Sequence, residues 1–331
     1  MRLSYVSSFS RPEHRRHAVE YAQVAEAAGY ESVWIPEAFS SDAFTLLGLI
    51  AGKTSRLKLA TGIVNVFSRT PALLAQSFAT LDEMSDGRAI VGLGTSGPIV
   101  IENWHGMKYE KPLRRTRETV EILRLALAGE RVDYDGKVFK LKGFRLLMRP
   151  VQRRMPVYLA TFKPAAVKQT GAIADGWLPT HVSVRCFDAL RADLDEGARS
   201  AGRKPEELDV AALLLVACSA DGEAARALCR EHLAYYVGGM GTFYHELMHR
   251  YGYGEEGDRI KAAWKKGDRA GAAAAIPRDV LDDLVVAGTQ AECRAAIEAR
   301  RKAGFRHIVA FPPHSSEPPQ VLETLKAVAP G

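Results

Sequence analysis

The sequence predicts a closed α/β barrel of eight parallel strands, each followed by a helix. Three observations carry this expectation. Short apolar runs alternate with amphipathic stretches along the 331 residues, and strands without a polar face belong between two layers, as parallel strands do. Eight such pairs can be counted, the number at which a parallel sheet closes on itself. The composition, 47% hydrophobic and 25% charged, is that of a globular chain able to fill a large core. A pair of doubly wound domains is the alternative arrangement of the same pattern.

The elements follow in order. Leu3–Ser7 is a strand, and Glu13–Ala28 a helix that Gly29 ends as a C-cap. Glu31–Pro36 is a second strand and Asp42–Lys53 a helix. Leu57–Ile63 is the third strand, followed by a helix over Pro71–Met84 with proline in its first turn. Ala89–Leu93 is the fourth strand, and Pro112–Leu127 a long helix. Tyr134–Leu141 reads as a hairpin with Asp135-Gly136 at its turn. The alternation then resumes: strand Val157–Ala160, helix Pro164–Ala174, strand Gly176–Pro179, helix Cys186–Ala201, strand Asp209–Cys218 and helix Glu223–Tyr236. Residues 238–277 are rich in Gly, Tyr and Ala and read as an insertion, irregular or helical. Helix Gln290–Ala303, strand His307–Phe311 and helix Pro319–Val328 complete the chain. The expectation is one barrel domain over 1–331, with a hairpin insertion near 130–147 and the second insertion near 238–277. Function in such a barrel sits on loops after strand C-termini.

The net charge is +6. Like charges cluster only in short runs, such as Arg114–Arg115 and Arg300–Lys302, so no nucleic-acid partner is expected. A small anionic ligand is compatible with the excess. The four cysteines lack any C-x-x-C pair and read as isolated thiols in a reducing compartment. The longest apolar run, Val210–Cys218, is too short to span a bilayer. Ser7, Ser8 and Arg11 interrupt the start, so a cytoplasmic protein without a membrane partner is expected.

Two motifs invite other functions. Gly92-Leu93-Gly94-Thr95-Ser96-Gly97 fits G-x-G-x-x-G, but those glycines should open a helix that holds a pyrophosphate. Here Pro98, Asn103, Trp104, His105 and Gly106 are expected before any helix. The competing reading is a barrel strand whose glycines let a flat ligand approach the backbone. His245-Glu246-Leu247-Met248-His249 fits H-E-x-x-H, the pattern of a zinc hydrolase. It falls in the insertion, away from any expected core helix and without a visible further ligand cluster. No metal is therefore expected.

The run Thr61-Gly62-Ile63-Val64-Asn65, Thr70-Pro71-Ala72-Leu73-Leu74-Ala75-Gln76, Leu81-Asp82, Gly87-Arg88 and Val91-Gly92-Leu93-Gly94-Thr95 resembles the luciferase-like flavin and deazaflavin superfamily. Ala174-Asp175-Gly176-Trp177-Leu178-Pro179 does so too. The likeness covers nearly the whole chain and is nearest the branch that uses coenzyme F420, which includes methylenetetrahydromethanopterin reductase and the deazaflavin-dependent sugar-phosphate dehydrogenase. Residues 238–277 resemble that family's own insertion.

The resemblance implies a luciferase-like barrel with a bulge after the third strand. There a non-prolyl cis peptide at Gly62–Ile63, with Thr61, would face the ring system; an ordinary bulged strand end is the alternative. Gly94, Thr95 and Ser96 would line the ring edge. Ala160, Thr161, Phe162 and Lys163 take the family's phosphate position, and a cationic side chain at a helix N-terminus suits a phosphate. Thr180 and His181 would reach the same phosphate or the coenzyme's tail, unless His181 is an exposed loop histidine. Glu37 would bind the ring or relay a proton, or it forms a surface ion pair. Ala38 stands where the family often has histidine, and Gly97 near where the sugar-phosphate enzyme has an acid, so glucose 6-phosphate is not the expected substrate. His105 is a second candidate for proton transfer. Phe9, Phe67, Asn103 and Trp104, with Ser8 and Arg69, would wall an apolar substrate pocket, or the aromatics serve helix packing.

These expectations describe an F420-dependent oxidoreductase, working as a homodimer on a small molecule with a C=C, C=N or C=O group. The alternatives are an FMN-dependent monooxygenase fed by a partner flavin reductase, a zinc hydrolase, or a barrel that binds cofactor without turnover.

Overall fold

The computed structural model describes residues 1–7, 11–38 and 40–330. Eight parallel strands form a ring: Arg2–Val6, Ser32–Ile35, Lys58–Thr61, Ala89–Gly94, Val157–Ala160, Gly176–Trp177, Asp209–Cys218 and His307–Phe311. Each pairs with the next, and the eighth closes on the first with Ile308 opposite Leu3. Helices cover the outer face and side chains fill the inside, so the strands are buried on both sides. That is why they read as largely apolar runs. The sixth strand is the shortest, Gly176–Trp177; a single bridge from Thr180 to Leu213 extends its pairing.

Local chemistry sets several boundaries. Asp42 accepts the Thr45 N–H and Thr70 the Leu73 N–H, so each caps the helix that follows. Thr289 and Glu292 form a capping box ahead of Gln290–Lys302. Asp175 staples the start of the fifth strand: its carboxylate accepts the Val157 N–H at 2.8 Å, pairs with Arg154 at 2.8 Å and also pairs with Arg124.

The lower barrel is filled by a polar chain. Trp34 Nε1 donates to Ser32 Oγ at 2.8 Å, and Ser32 Oγ lies 2.6 Å from Ser4 Oγ. Ser4 Oγ lies 2.8 Å from His307 Nε2, whose Nδ1 is 2.7 Å from Asp209 Oδ2. Tyr158 also donates to that carboxylate oxygen at 2.9 Å. One order of protons, running from Trp34 to Asp209, satisfies every atom, as a buried polar group requires.

The sequence reading differs from the structure at several boundaries. The first helix is two, Pro12–Arg16 and Ala18–Ala27, divided at His17. The third strand stops at Thr61; the chain bulges and resumes pairing at Val64–Asn65 against the fourth strand. A short helical turn, Val100–Trp104, follows Gly97 almost at once, contrary to the expectation that no helix starts there. The hairpin pairs Val132–Asp135 with Lys140–Phe144 through a four-residue loop rather than a two-residue turn, because Glu118 accepts the N–H groups of Lys137, Val138 and Phe139. The 238–277 insertion is helical: Phe243–Arg250, Gly254–Lys265 and Arg269–Ala274. A helix, Arg278–Leu284, and a strand, Val285–Gly288, had no counterpart in the reading. That strand pairs with the upper end of the seventh, outside the ring. Buried Arg300 fixes the junction by donating to the carbonyls of Asp282, Asp283 and Val285.

Candidate active site

The strands' C-terminal ends converge on one mouth, and the bulge after the third strand forms part of its floor. The Gly62–Ile63 peptide is cis. Gly62 N–H donates to the Ile35 carbonyl at 2.8 Å, and the Ile63 carbonyl accepts from Glu37 N–H at 3.1 Å. A side chain at Gly62 would bring a Cβ within 2.9 Å of Trp34 Cβ. At Gly94 a Cβ would lie 3.0 Å from Ile63 Cγ1 and 3.5 Å from the Ala160 carbonyl. Glycine at both positions therefore sets the Ile63 side chain beside the ends of the fourth and fifth strands.

The Thr61 side chain does not face the mouth. It is buried, and its hydroxyl donates to the Gly92 carbonyl at 2.7 Å while accepting Gly92 N–H at 3.0 Å. Glu37 is also committed. One carboxylate oxygen pairs with Arg69, which also pairs with Asp42, and the other accepts Ala43 N–H at 3.1 Å. Glu37 thus forms a part-buried ion pair at the end of the second strand. Phe67 is buried, stacked on Tyr109 at 5.1 Å and lying under Arg115 at 4.6 Å. The Tyr109 hydroxyl reaches the Ser96 carbonyl at 3.4 Å, and Ser96 itself has a left-handed backbone. Thr95 donates to that same carbonyl at 3.3 Å. Asn103 and Trp104 are exposed and His105 is half-buried on the turn after the fourth strand. Phe9 and Ser8 lie outside the described residues.

The loop after the fifth strand meets the insertion. Thr161 Oγ1 lies 3.1 Å from Thr170 Oγ1, and the Thr161 carbonyl accepts from Trp177 Nε1 at 3.0 Å. The Phe162 carbonyl accepts from Arg250 at 3.0 Å. Lys163, exposed at the start of helix Pro164–Ile173, holds its Nζ 5.6 Å from the Phe243 ring centre. The insertion helix Phe243–Arg250 therefore closes over this side of the mouth.

Behind that helix lies a cluster that sequence reasoning did not assemble. His181 follows the sixth strand, His232 and Tyr236 come from the helix after the seventh, and Phe311 and His314 from the end of the eighth. Tyr236 lies 4.9 Å from His181 and stacks on His232 at 4.7 Å. Tyr244, from the insertion, lies 5.5 Å from His181 and 5.7 Å from Phe162. His232 contacts Phe311 and His314 at 4.9 and 4.7 Å. His314 lies on a loop after a strand C-terminus, where function is expected in such a barrel, whereas nothing in the sequence distinguishes His232 and Tyr236 from the rest of their helix.

His181 is buried, contrary to the exposed alternative, and has a left-handed backbone held by its N–H to the Leu213 carbonyl at 3.0 Å. Neither ring nitrogen has a protein partner. Thr180 Oγ1, His232 Nε2, His314 Nδ1, Ser315 Oγ and Ser68 Oγ are likewise buried and unpartnered. Burial pushes the His181 imidazole down to about 3. His232 is pushed well below the usual range, first by burial and then by its two histidine neighbours. Burial also raises the Tyr236 and Tyr244 phenols. At neutral pH these imidazoles and phenols are therefore uncharged, and several hydrogen-bonding atoms of the cluster have no protein partner. Buried polar groups nearly always have partners. Their concentration after the third, sixth, seventh and eighth strands makes this mouth the candidate ligand site.

A closed parallel barrel with an aromatic, polar recess at its C-terminal mouth has the organisation of a barrel enzyme. The sequence pattern of the luciferase-like monooxygenase family matches residues 1–307, and the chain belongs to that family. It is 34% identical over 313 residues to a Mycobacterium tuberculosis protein provisionally named a coenzyme F420-dependent oxidoreductase, covering 89% of this chain and 90% of the relative. It is 29% identical over 309 residues to 5,10-methylenetetrahydromethanopterin reductase of Archaeoglobus fulgidus, covering 91% of each. The solved coenzyme F420-dependent tetrahydromethanopterin reductase of Methanopyrus kandleri superposes with a TM-score of 0.86 at 26% identity, covering 99% of this chain and 98% of that one.

Proposed function

We propose that this protein is a coenzyme F420-dependent oxidoreductase acting on a small organic substrate with a C=O, C=N or C=C group. The observation that carries this reading is the set of buried, unpartnered polar atoms at the mouth, Thr180 Oγ1, both His181 nitrogens and His232 Nε2 among them. Such a recess suits a large, flat, hydrogen-bonding coenzyme and a small polar substrate. Ile63 and Gly94 would take one face of the ring, and the Ala160–Lys163 loop with Thr180 would take the phosphate and tail. Lys163 supplies a cation for that anionic end. When bound, the coenzyme supplies the carbon that donates or accepts hydride.

The chain's own residues do the rest. Phe162, Tyr236, Tyr244 and Phe311 exclude water, which strengthens every polar contact inside. His232 and His181 offer neutral imidazoles that can donate to, or accept from, the substrate's polar group and so polarise it without competing for its charge. His105 and Glu37 remain the further candidates for proton transfer. The four cysteines are all free, which suits a reducing cytoplasm. Among the described residues no helix is long and apolar enough to cross a membrane. Leu49, Leu73 and Met84, exposed on neighbouring helices, give a surface for the expected homodimer.

The test is a spectroscopic titration of the full chain with coenzyme F420 and, separately, with FMN. Saturable F420 binding that depends on His181 and Lys163 supports the reading. FMN binding in its place would move the protein to the monooxygenases that need a partner flavin reductase.

A further inference from the structure

The H-E-x-x-H run lies in the insertion and not on a core helix of the barrel, but the expectation that no further ligand stands near it is overturned. His245 and His249 stand four apart on helix Phe243–Arg250, so their rings share one face. The next helix, Gly254–Lys265, brings Asp258 between them. His245 Nε2 lies 2.7 Å and His249 Nε2 3.2 Å from the same oxygen, Asp258 Oδ1. The two rings sit 4.7 Å apart at 72°, edge to face, so both Nε2 atoms converge instead of stacking. Among the described residues this is the one group of three or more potential ligands whose donor atoms lie within 4.8 Å of one another.

The packing is shaped to the two rings. A Cβ at Gly254 would fall 2.5 Å from His249 Nδ1, and one at Gly257 would fall 3.1 Å from Met248 Cβ and 3.5 Å from His245 Cδ2. The absence of those side chains lets the second helix approach closely enough for Asp258 to reach both histidines.

We propose that His245, His249 and Asp258 bind a divalent transition metal of the zinc, cobalt or nickel class, tying the two insertion helices together. Two imidazole nitrogens and one carboxylate oxygen are a donor set for such ions. A tetrahedral ion with arms of about 2.0–2.1 Å needs donors roughly 3.3 Å apart, close to the spacing already present. The remaining positions face water. Glu246, next to His245 on the helix but not part of the converging group, is not a ligand. The site is distinct from the barrel mouth but acts on it mechanically. The same helix carries Tyr244, which packs on His181, and Arg250, which holds the Phe162 carbonyl. This inference does not depend on the identity of the coenzyme.

The test uses untagged, full-length protein stripped of metal and titrated with Co²⁺, then Zn²⁺. One equivalent of Co²⁺ should give visible d–d bands that Zn²⁺ displaces, and Zn²⁺ should raise the apparent Tm. The side chains of His249 and Asp258 are 47% and 63% exposed, so His249→Ala and Asp258→Ala should fold. Each should weaken Co²⁺ binding by at least about tenfold, since even outer-sphere changes cost 10–100-fold, and abolish the Tm rise. Glu246→Gln should leave both unchanged. Absence of the bands, bands that survive both alanine substitutions, or equal loss in Glu246→Gln would overturn the assignment.

Discussion

The backbone N–H of His314 donates to Nδ1 of His232 at 2.9 Å. With Nδ1 accepting, the neutral ring carries its proton on Nε2, and that N–H is buried without a protein partner. The loop after the eighth strand thus selects the tautomer of a histidine on the helix after the seventh, and leaves a buried donor without a protein partner in that cluster.

Replacing that donor should affect turnover more than coenzyme binding. His232→Phe keeps the aromatic packing against Tyr236 and Phe311 but removes the N–H. The expected outcome is a fall in kcat/KM of about 10²–10³-fold, the usual effect of losing one preorganised donor, with the coenzyme Kd little changed. Steady-state kinetics and a coenzyme titration on the same variant check this.

The buried histidines also set an acid limit on stability. The folded value of His181, about 3, lies below its ordinary 6.5. Between those values the unfolded chain binds more protons, so stability is complete above pH 6.5 and is lost as pH falls toward 3. One such histidine contributes a slope approaching about 1.4 kcal/mol per pH unit. His181→Phe should flatten the dependence of apparent Tm between pH 6.5 and 4. An unchanged slope would mean that His181 is solvated.

A second acid limb should appear lower. Burial tends to raise the Asp209 carboxyl, but His307 and Arg2 outweigh it and hold the group below its usual range. Its contribution is present above about pH 3.9 and is lost as pH falls through the depressed folded value. Ser4→Ala, which removes the neighbouring link to His307, should cost about 1–3 kcal/mol without altering KM. Ser4 has the partners of a hydrolytic triad, yet it is fully buried in the lower barrel. A serine-directed phosphonate should therefore leave it unlabelled.

Much of this fold was legible because burial on both faces leaves its mark on every strand. Runs such as Ala89–Gly94 and His307–Phe311 carry no polar face. The segments that escaped were those stabilised by distant partners. Val285–Gly288 is short and depends on Arg300 and the seventh strand, and the hairpin loop is shaped by Glu118 from another element. The site was half legible. Gly62, Gly94 and the 160–163 loop follow from the order of motifs and position on the barrel. His232, Tyr236 and Tyr244 do not, because a histidine or tyrosine on an amphipathic helix looks like packing until the helix after it is in place. The partners of Glu37 were not legible either, because Arg69 comes from a different loop and reaches it only once the barrel is folded.

Glu37→Gln accordingly tests a structural role. It should lower the apparent Tm, with an expected loss of about 1–3 kcal/mol for a half-buried charged hydrogen bond, while leaving the pH profile of kcat in place. A displaced pH profile would return Glu37 to proton transfer.

The glycine floor gives a test of where the ring lies. Gly94→Val would push on Ile63 Cγ1 and the Ala160 carbonyl, and it should weaken coenzyme binding by about tenfold or more, that is by about 1.4 kcal/mol or more. The most direct measurement is the fluorescence titration of wild-type and Gly94→Val protein with coenzyme F420, run beside FMN. Stoichiometric F420 binding that the substitution weakens, with FMN much weaker, is the predicted result. No F420 binding, or equal binding by both proteins, would contradict the placement of the coenzyme at this mouth.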